Sequence, residues 1–150
     1  MTRISKNRLD KSTSDRMFAL FWRSLTRLGS QEETAEFFSD ILSETEQVMI
    51  AKRYTAAILL AKGYNQTHIK KVLNLSYSTL GTVAGWLKNL KPATKKILDR
   101  HLKDEAWGQF FDKIDEVLDI LPPGKYANWS KEGKEKYQRS LTRSARSLLR

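Results

Sequence analysis

Apolar residues recur along most of this chain at intervals of three and four, the spacing of an α-helix with one buried face. From about Asp15 to Leu28 the pattern is carried by Phe18, Phe21, Leu25 and Leu28, and Gly29 is placed as the stop. Ser30 with Glu33, and Ser43 with Glu46, have the spacing of a capping box, in which two side chains satisfy the open amides at a helix start. The first opens a helix to about Leu42. The second opens a longer helix ending at Gly63, with Val48, Ile50, Ala51, Tyr54, Ala57, Ile58 and Leu60 as its apolar positions. Asn65 caps a short helix from Gln66 to about Leu73, and Ser76 caps another to about Leu90. Pro92 suits the first turn of a further helix. Trp107, Phe110, Phe111, Ile114, Val117, Leu118 and Leu121 predict a core-forming helix that Pro122, Pro123 and Gly124 end. Lys125 to Trp129 reads as a linker, and Ser130 to Arg150 as a last, basic helix. No stretch alternates with a period of two, so the expected fold is all-α.

Composition narrows what such a chain does. Hydrophobic residues make up 40 % of the 150 positions, enough for a core. The absence of cysteine rules out disulfides and thiolate metal sites. The polar start MTRISKNRLDKSTSD has no apolar signal core, and no run approaches the ~18 apolar residues of a membrane span. A soluble, cytoplasmic protein without membrane insertion is the expectation.

The net charge of +10 points to a polyanionic partner, and its distribution says where. Residues 1–42 carry seven Lys/Arg against six Asp/Glu, residues 43–91 seven against two, residues 92–121 five against seven, and residues 122–150 eight against two. The excess lies in the centre and in the tail.

The centre holds the motif. In Gln66-Thr-His-Ile-Lys-Lys-Val-Leu-Asn-Leu-Ser-Tyr-Ser-Thr-Leu-Gly-Thr-Val, the residues Ile69, Leu73, Leu75, Leu80 and Val83 fall on the apolar offsets of two short helices crossing steeply. Asn74 stands where the turn usually has glycine, and Lys70 stands where the crossing favours alanine, its stem able to extend outward. An ordinary helical hairpin would share these offsets through packing alone. The local charge and the basic tail favour a helix-turn-helix.

The stretch from Asp40 to Leu90 resembles the Trp repressor superfamily in its Leu-Ser-x-x-Glu opening, Ala-x-Arg step, Leu-Leu-x-x-Gly helix end and helix-turn-helix. The resemblance implies an all-α fold, an intertwined homodimer and a second helix inserted in the major groove. It also implies a test for the family's effector. Two arginines hold the amino acid in tryptophan-responsive members; the first aligns with Arg53, but the second falls on Thr82. Losing that charged partner removes about 1.5–3 kcal/mol of binding, so tryptophan is not the expected corepressor, and whether another small molecule takes its place is left open by the residues. No cofactor is expected.

The exposed start of the second helix offers Ser76, Tyr77, Ser78, Thr79, Gly81 and Thr82 to DNA, a weak set for direct readout beside the usual Arg, Asn and Gln. Sequence selection then rests partly on DNA shape and dimer spacing. Lys52, Lys62, Lys70, Lys71, Lys88 and Lys91 supply phosphate contacts, with Gln66 and Thr67 at the start of the first helix. In the last helix Arg139, Arg143, Arg146 and Arg150 share one face, and Tyr137, Leu141, Ala145 and Leu148 another; the apolar face is expected to dock and the arginine face to hold phosphate.

Five segments follow: a flexible basic arm at 1–14, a Trp-repressor-like domain at 15–103, an acidic and aromatic helix at 104–121, a linker at 122–129 and a basic amphipathic helix at 130–150. The function expected is sequence-selective duplex DNA binding by a repressor-like transcriptional regulator. A DNA-recognition subunit for packaging or transposition is one alternative. A structured-RNA binder using the Arg-rich helix is another. Catalysis has no visible machinery: the two histidines, His68 and His101, have no nucleophile or phosphate loop beside them, and His68 is expected to face solvent or phosphate. Asp112, Asp115, Glu116 and Asp119 form an acidic stripe, read as a solvated face or as a dock for the arginine tail rather than a metal site. Trp22, Trp86, Trp107 and Trp129 are expected in the core or an interface, with Trp86 packing inside the motif.

Overall fold

Short polar residues at the predicted boundaries set most of the helix ends. A computed structural model describes residues 9–122 and 128–148, and these form eight helices and no strand. The chain divides into two units, residues 1–49 and 50–150, with the division inside the third helix.

The first unit holds α1 (Lys11–Leu25), α2 (Gln31–Ile41) and the start of α3 (Glu44–Lys62). Helix α1 begins earlier than the apolar pattern suggested. Asp10 is its cap, accepting hydrogen bonds from the Thr13 amide at 3.0 Å and the Ser12 hydroxyl at 2.9 Å. Those bonds hold the Asp10 carboxyl down at about 2. The helix also ends early, at Leu25, and Gly29 serves the next one: its amide donates to Glu33 Oε2 at 2.8 Å while Ser30 Oγ accepts from Glu33 N at 3.1 Å. Ser43 and Glu46 close a full capping box at the start of α3. Neither α1 nor α2 buries any residue; Phe18 and Trp22 stack at 6.5 Å and remain half exposed.

The second unit carries the core. The rest of α3 is followed by α4 (Gln66–Leu73), α5 (Tyr77–Lys88), α6 (Pro92–His101), α7 (Glu105–Ile120) and α8 (Trp129–Leu148). Gly63 ends α3 with φ +102°, a left-handed conformation that costs glycine nothing. Four consecutive residues, Ala56 to Leu59, are fully buried, and Ile69, Leu75, Leu80, Val83, Leu98, Phe111, Ile114 and Leu118 complete the interior. Helix α7, in the segment that composition set apart at 104–121, is thus part of this core and packs on α4. A run of rings fastens it: Tyr54 to His101 at 6.0 Å, His101 to Trp107 at 5.6 Å, Trp107 to Phe111 at 6.1 Å and Phe111 to Tyr64 at 6.3 Å.

The tryptophans divide. Trp107 packs within this run, but Trp22, Trp86 and Trp129 are 56, 42 and 73 % exposed on the single chain, so none of these three is a core residue and Trp86 does not pack inside the motif as expected. Residues 1–8 of the expected arm, residues 123–127 of the Pro/Gly break and linker, and Arg150 lie outside the described residues.

Candidate nucleic-acid interface

The turn between α4 and α5 is built by one residue type at each step. Asn65 caps α4 through its side chain, which accepts from His68 N at 2.8 Å. Asn74 closes the helix at φ 50°, ψ 55°, the left-handed conformation that asparagine adopts more readily than other non-glycine residues. Leu75 then drops into the core, 5 % exposed, and Ser76 caps α5 by accepting from Thr79 N at 3.1 Å. Ile69, Leu80 and Val83 bury beneath the pair, so the two helices are locked at a short turn.

What this leaves outside is the start of α5. Ser76, Tyr77, Ser78, Gly81 and Thr82 are exposed, and Thr79 is half-buried. The two serine–threonine pairs are engaged locally: Ser76 Oγ and Thr79 Oγ1 stand 2.9 Å apart, and Thr82 Oγ1 donates back to the Ser78 carbonyl at 3.1 Å. Tyr77 joins the helices. Its hydroxyl is 3.3 Å from Thr67 Oγ1, and Lys70 Nζ lies 4.4 Å from its ring centroid, a cation–π contact that accounts for a lysine at the crossing. Half of the Tyr77 side chain still faces outward. Gln66 is half-buried, Thr67, Lys70 and Lys88 are exposed, and Lys71 donates to the Pro122 carbonyl at 3.3 Å.

The three tail arginines are elsewhere. Helix α8 packs on α7, and its arginine face is the face that docks. Arg139 and Arg143 converge on Asp119 at 2.9 and 2.6 Å, and Arg146 reaches Asp112 at 3.1 Å and the Gly108 carbonyl at 2.9 Å. The expected arrangement of α8 is therefore reversed: Tyr137, Leu141 and Leu148 are exposed and the guanidinium groups are occupied within the chain. The reason is the acidic stripe of α7, which repeats at the same helical period. Burial works against ionisation of Asp119, but hydrogen bonds from Arg143 and Arg139 outweigh it and hold the carboxyl below its ordinary value. Burial dominates at Asp115, pushing its carboxyl up although the Tyr64 hydroxyl donates to it at 2.7 Å.

His68 differs from expectation too. It is 5 % exposed, turned from solvent toward Glu132 and Glu135 of α8. Arg53, aligned with the family's first ligand arginine, is exposed on α3, while Thr82 at the second position bonds its own helix. No helix among the described residues is long and apolar enough to cross a membrane.

No curated protein and no solved structure matches the chain. A family model described as "Trp repressor protein" matches residues 16–102, more than half of its length and including both helices of the motif. With that match laid over the α4–α5 geometry, the chain belongs to the Trp repressor family.

Proposed function

We propose that this protein is a transcriptional regulator that binds duplex DNA sequence-selectively as a homodimer, with the start of α5 in the major groove. Its family is one of helix-turn-helix DNA-binding regulators rather than enzymes. The observation that carries the reading is the exposed face at the start of α5: Ser76, Tyr77, Ser78, Gly81 and Thr82 project from a helix whose opposite side, Leu80 and Val83, is locked into the core. Lys70 and Lys88 flank that face, and acidic residues are absent from the segment between Glu46 and Asp99. Lysines there position a phosphate backbone, while hydroxyls and the Tyr77 ring meet base edges and thymine methyls.

Dimerisation is supported by the first unit, whose α1 and α2 bury no residue while Met17, Phe18, Leu20 and Trp22 stand about half exposed. Helices this apolar and this uncovered are what an obligate partner surface leaves on a single chain. Tryptophan is not the corepressor in this reading, since Thr82 offers no cation to a carboxylate. The arginines of α8, engaged with α7, do not favour an RNA-binding tail.

The test is a fluorescence-anisotropy titration against duplex DNA and structured RNA of equal length, repeated across salt concentrations, with Tyr77→Ala, Lys70→Ala and a truncation after Leu121. Duplex preference with a steep negative log–log salt slope, weakened in both point variants, is the expected result. Point variants that bind as wild type, with binding lost on truncation, would place the ligand on α8 and overturn the proposal.

A further inference from the structure

His68, on the first helix of the motif, is buried to all but 5 % of its surface, yet among the described residues no hydrogen bond holds its ring. Its Nε2 stands 3.6 Å from Glu132 Oε2 and 3.6 Å from Glu135 Oε2. A charge-assisted hydrogen bond closes to about 2.7–2.9 Å, so the imidazole is aimed between the two carboxylates and in bonding contact with neither. The ligand atoms of all three residues lie within 4.8 Å of one another.

The geometry points to a divalent transition-metal site formed by His68, Glu132 and Glu135. Metal–ligand bonds of about 2.1 Å spanning 3.6 Å open an angle of about 118°, between the tetrahedral and trigonal values. One nitrogen and two carboxylate oxygens, with no thiolate anywhere in the chain, suit Zn²⁺ or Mn²⁺, and the Irving–Williams order favours Zn²⁺. Two carboxylates neutralise a dication, which also removes their mutual repulsion. The carboxylates are one helical turn apart on α8, so they present their oxygens side by side without backbone movement. A cleft of about 480 Å³ has His68 and Glu135 in its wall, giving an ion a route in and leaving room for water at a fourth position. Lys131 stands 4.0 Å from the other oxygen of Glu135 and is 74 % exposed, free to swing aside.

Such an ion ties the first turns of α8 to α4, at the opposite end of α8 from Arg146. Occupancy thereby couples the helix-turn-helix to the C-terminal helix. The inference stands on these three residues alone and is independent of what DNA the protein binds.

Calorimetric titration of the chelator-treated full chain with ZnCl₂, and separately with MnCl₂, tests it. Variants are Glu132→Gln, Glu135→Gln and His68→Gln, with His101→Gln as the control, each checked for helicity and melting beforehand. One Zn²⁺ per chain is expected, with affinity reduced at least about tenfold in each of the two glutamine-for-glutamate variants and unchanged in the control. Zn²⁺ also raises the melting temperature of the wild type and not of Glu135→Gln. Absence of binding by the wild type, or binding by both glutamate variants as tight as that of the wild type, would reduce the cluster to a histidine facing two carboxylates and overturn the site.

Discussion

Arg143 Nη2 lies 2.6 Å from Asp119 Oδ2, and Arg139 Nη2 lies 2.9 Å from the other oxygen of the same carboxylate. One acidic side chain on α7 thus holds two arginines of α8, and all three are largely covered. The consequence is that α8 depends on charge for its attachment. Asp119→Asn keeps the shape and removes the charge. We expect it to cost about 1–3 kcal/mol in a denaturant titration of the full chain, the loss for charged hydrogen bonds that are partly solvent-shielded. Trypsin should cut at Arg139 and Arg143 faster than in wild type. Unchanged proteolysis would mean that α8 is held by something else.

The same carboxylate sets a pH dependence. Its folded pKa lies below the ordinary value, so the pairing contributes in full above the usual carboxylate range and is lost as pH falls through the depressed value. Protection of α8 against an acid-active protease should therefore decline only in strong acid in wild type. Asp119→Asn should show weak protection throughout, with no such step.

How much of this was visible in the residues alone follows from the range of each interaction. Asn65, Asn74 and Ser76 act on neighbours within three positions, so α4, the turn and the cap of α5 were legible in detail. Asp10 was missed as a cap because no apolar residue marks the first turn after it. The Arg139–Arg143–Arg146 spacing and the Asp112–Asp115–Asp119 spacing were each visible, and a dock for the arginine tail was one of the two readings of the acidic stripe; the arginines themselves were assigned to phosphate, an equally good partner, because tertiary packing decides which of the two they meet. His68 was unreadable for the same reason: both carboxylates it faces belong to α8. Trp86 was assigned to packing from its apolarity, yet burial on α5 is supplied by Leu80 and Val83.

Asn74 provides a backbone test. Its side chain is exposed and φ is 50°, so substitution there probes conformation rather than packing. Asn74→Gly should leave stability nearly unchanged. Asn74→Val, β-branched in a left-handed turn, should cost about 1–2 kcal/mol by thermal unfolding. Equal melting temperatures for the two variants would show that the turn relaxes out of this conformation.

The uncovered face of α1 is a test of assembly. Phe18 is 50 % exposed and Trp22 56 % exposed, with their rings stacked. Sedimentation velocity should give a dimer for the wild type and a shift toward monomer for Phe18→Glu with Trp22→Glu. Monomeric wild type at micromolar concentration would remove the dimer from the functional reading.

Tyr64 and Asp115 make the last prediction, and its sign differs from that of Asp119. The Tyr64 hydroxyl donates to Asp115 Oδ1 at 2.7 Å, and burial raises the pKa of both groups. A carboxyl whose folded pKa is raised favours the native state in its protonated form. Its contribution is therefore present below the ordinary carboxylate range and lost as pH climbs through the raised value. The tyrosine hydrogen bond opposes that loss by stabilising the ionised form. Tyr64→Phe should then cost about 1–3 kcal/mol at neutral pH, where a buried carboxylate loses its donor, and less in mild acid, where the carboxyl is protonated. Asp115→Asn retains an acceptor for the hydroxyl without the buried charge and should be the milder change at neutral pH. Urea unfolding midpoints across pH check both. A Tyr64→Phe penalty that stays flat across pH would show that the tyrosine contributes packing alone and does not favour the ionised carboxylate.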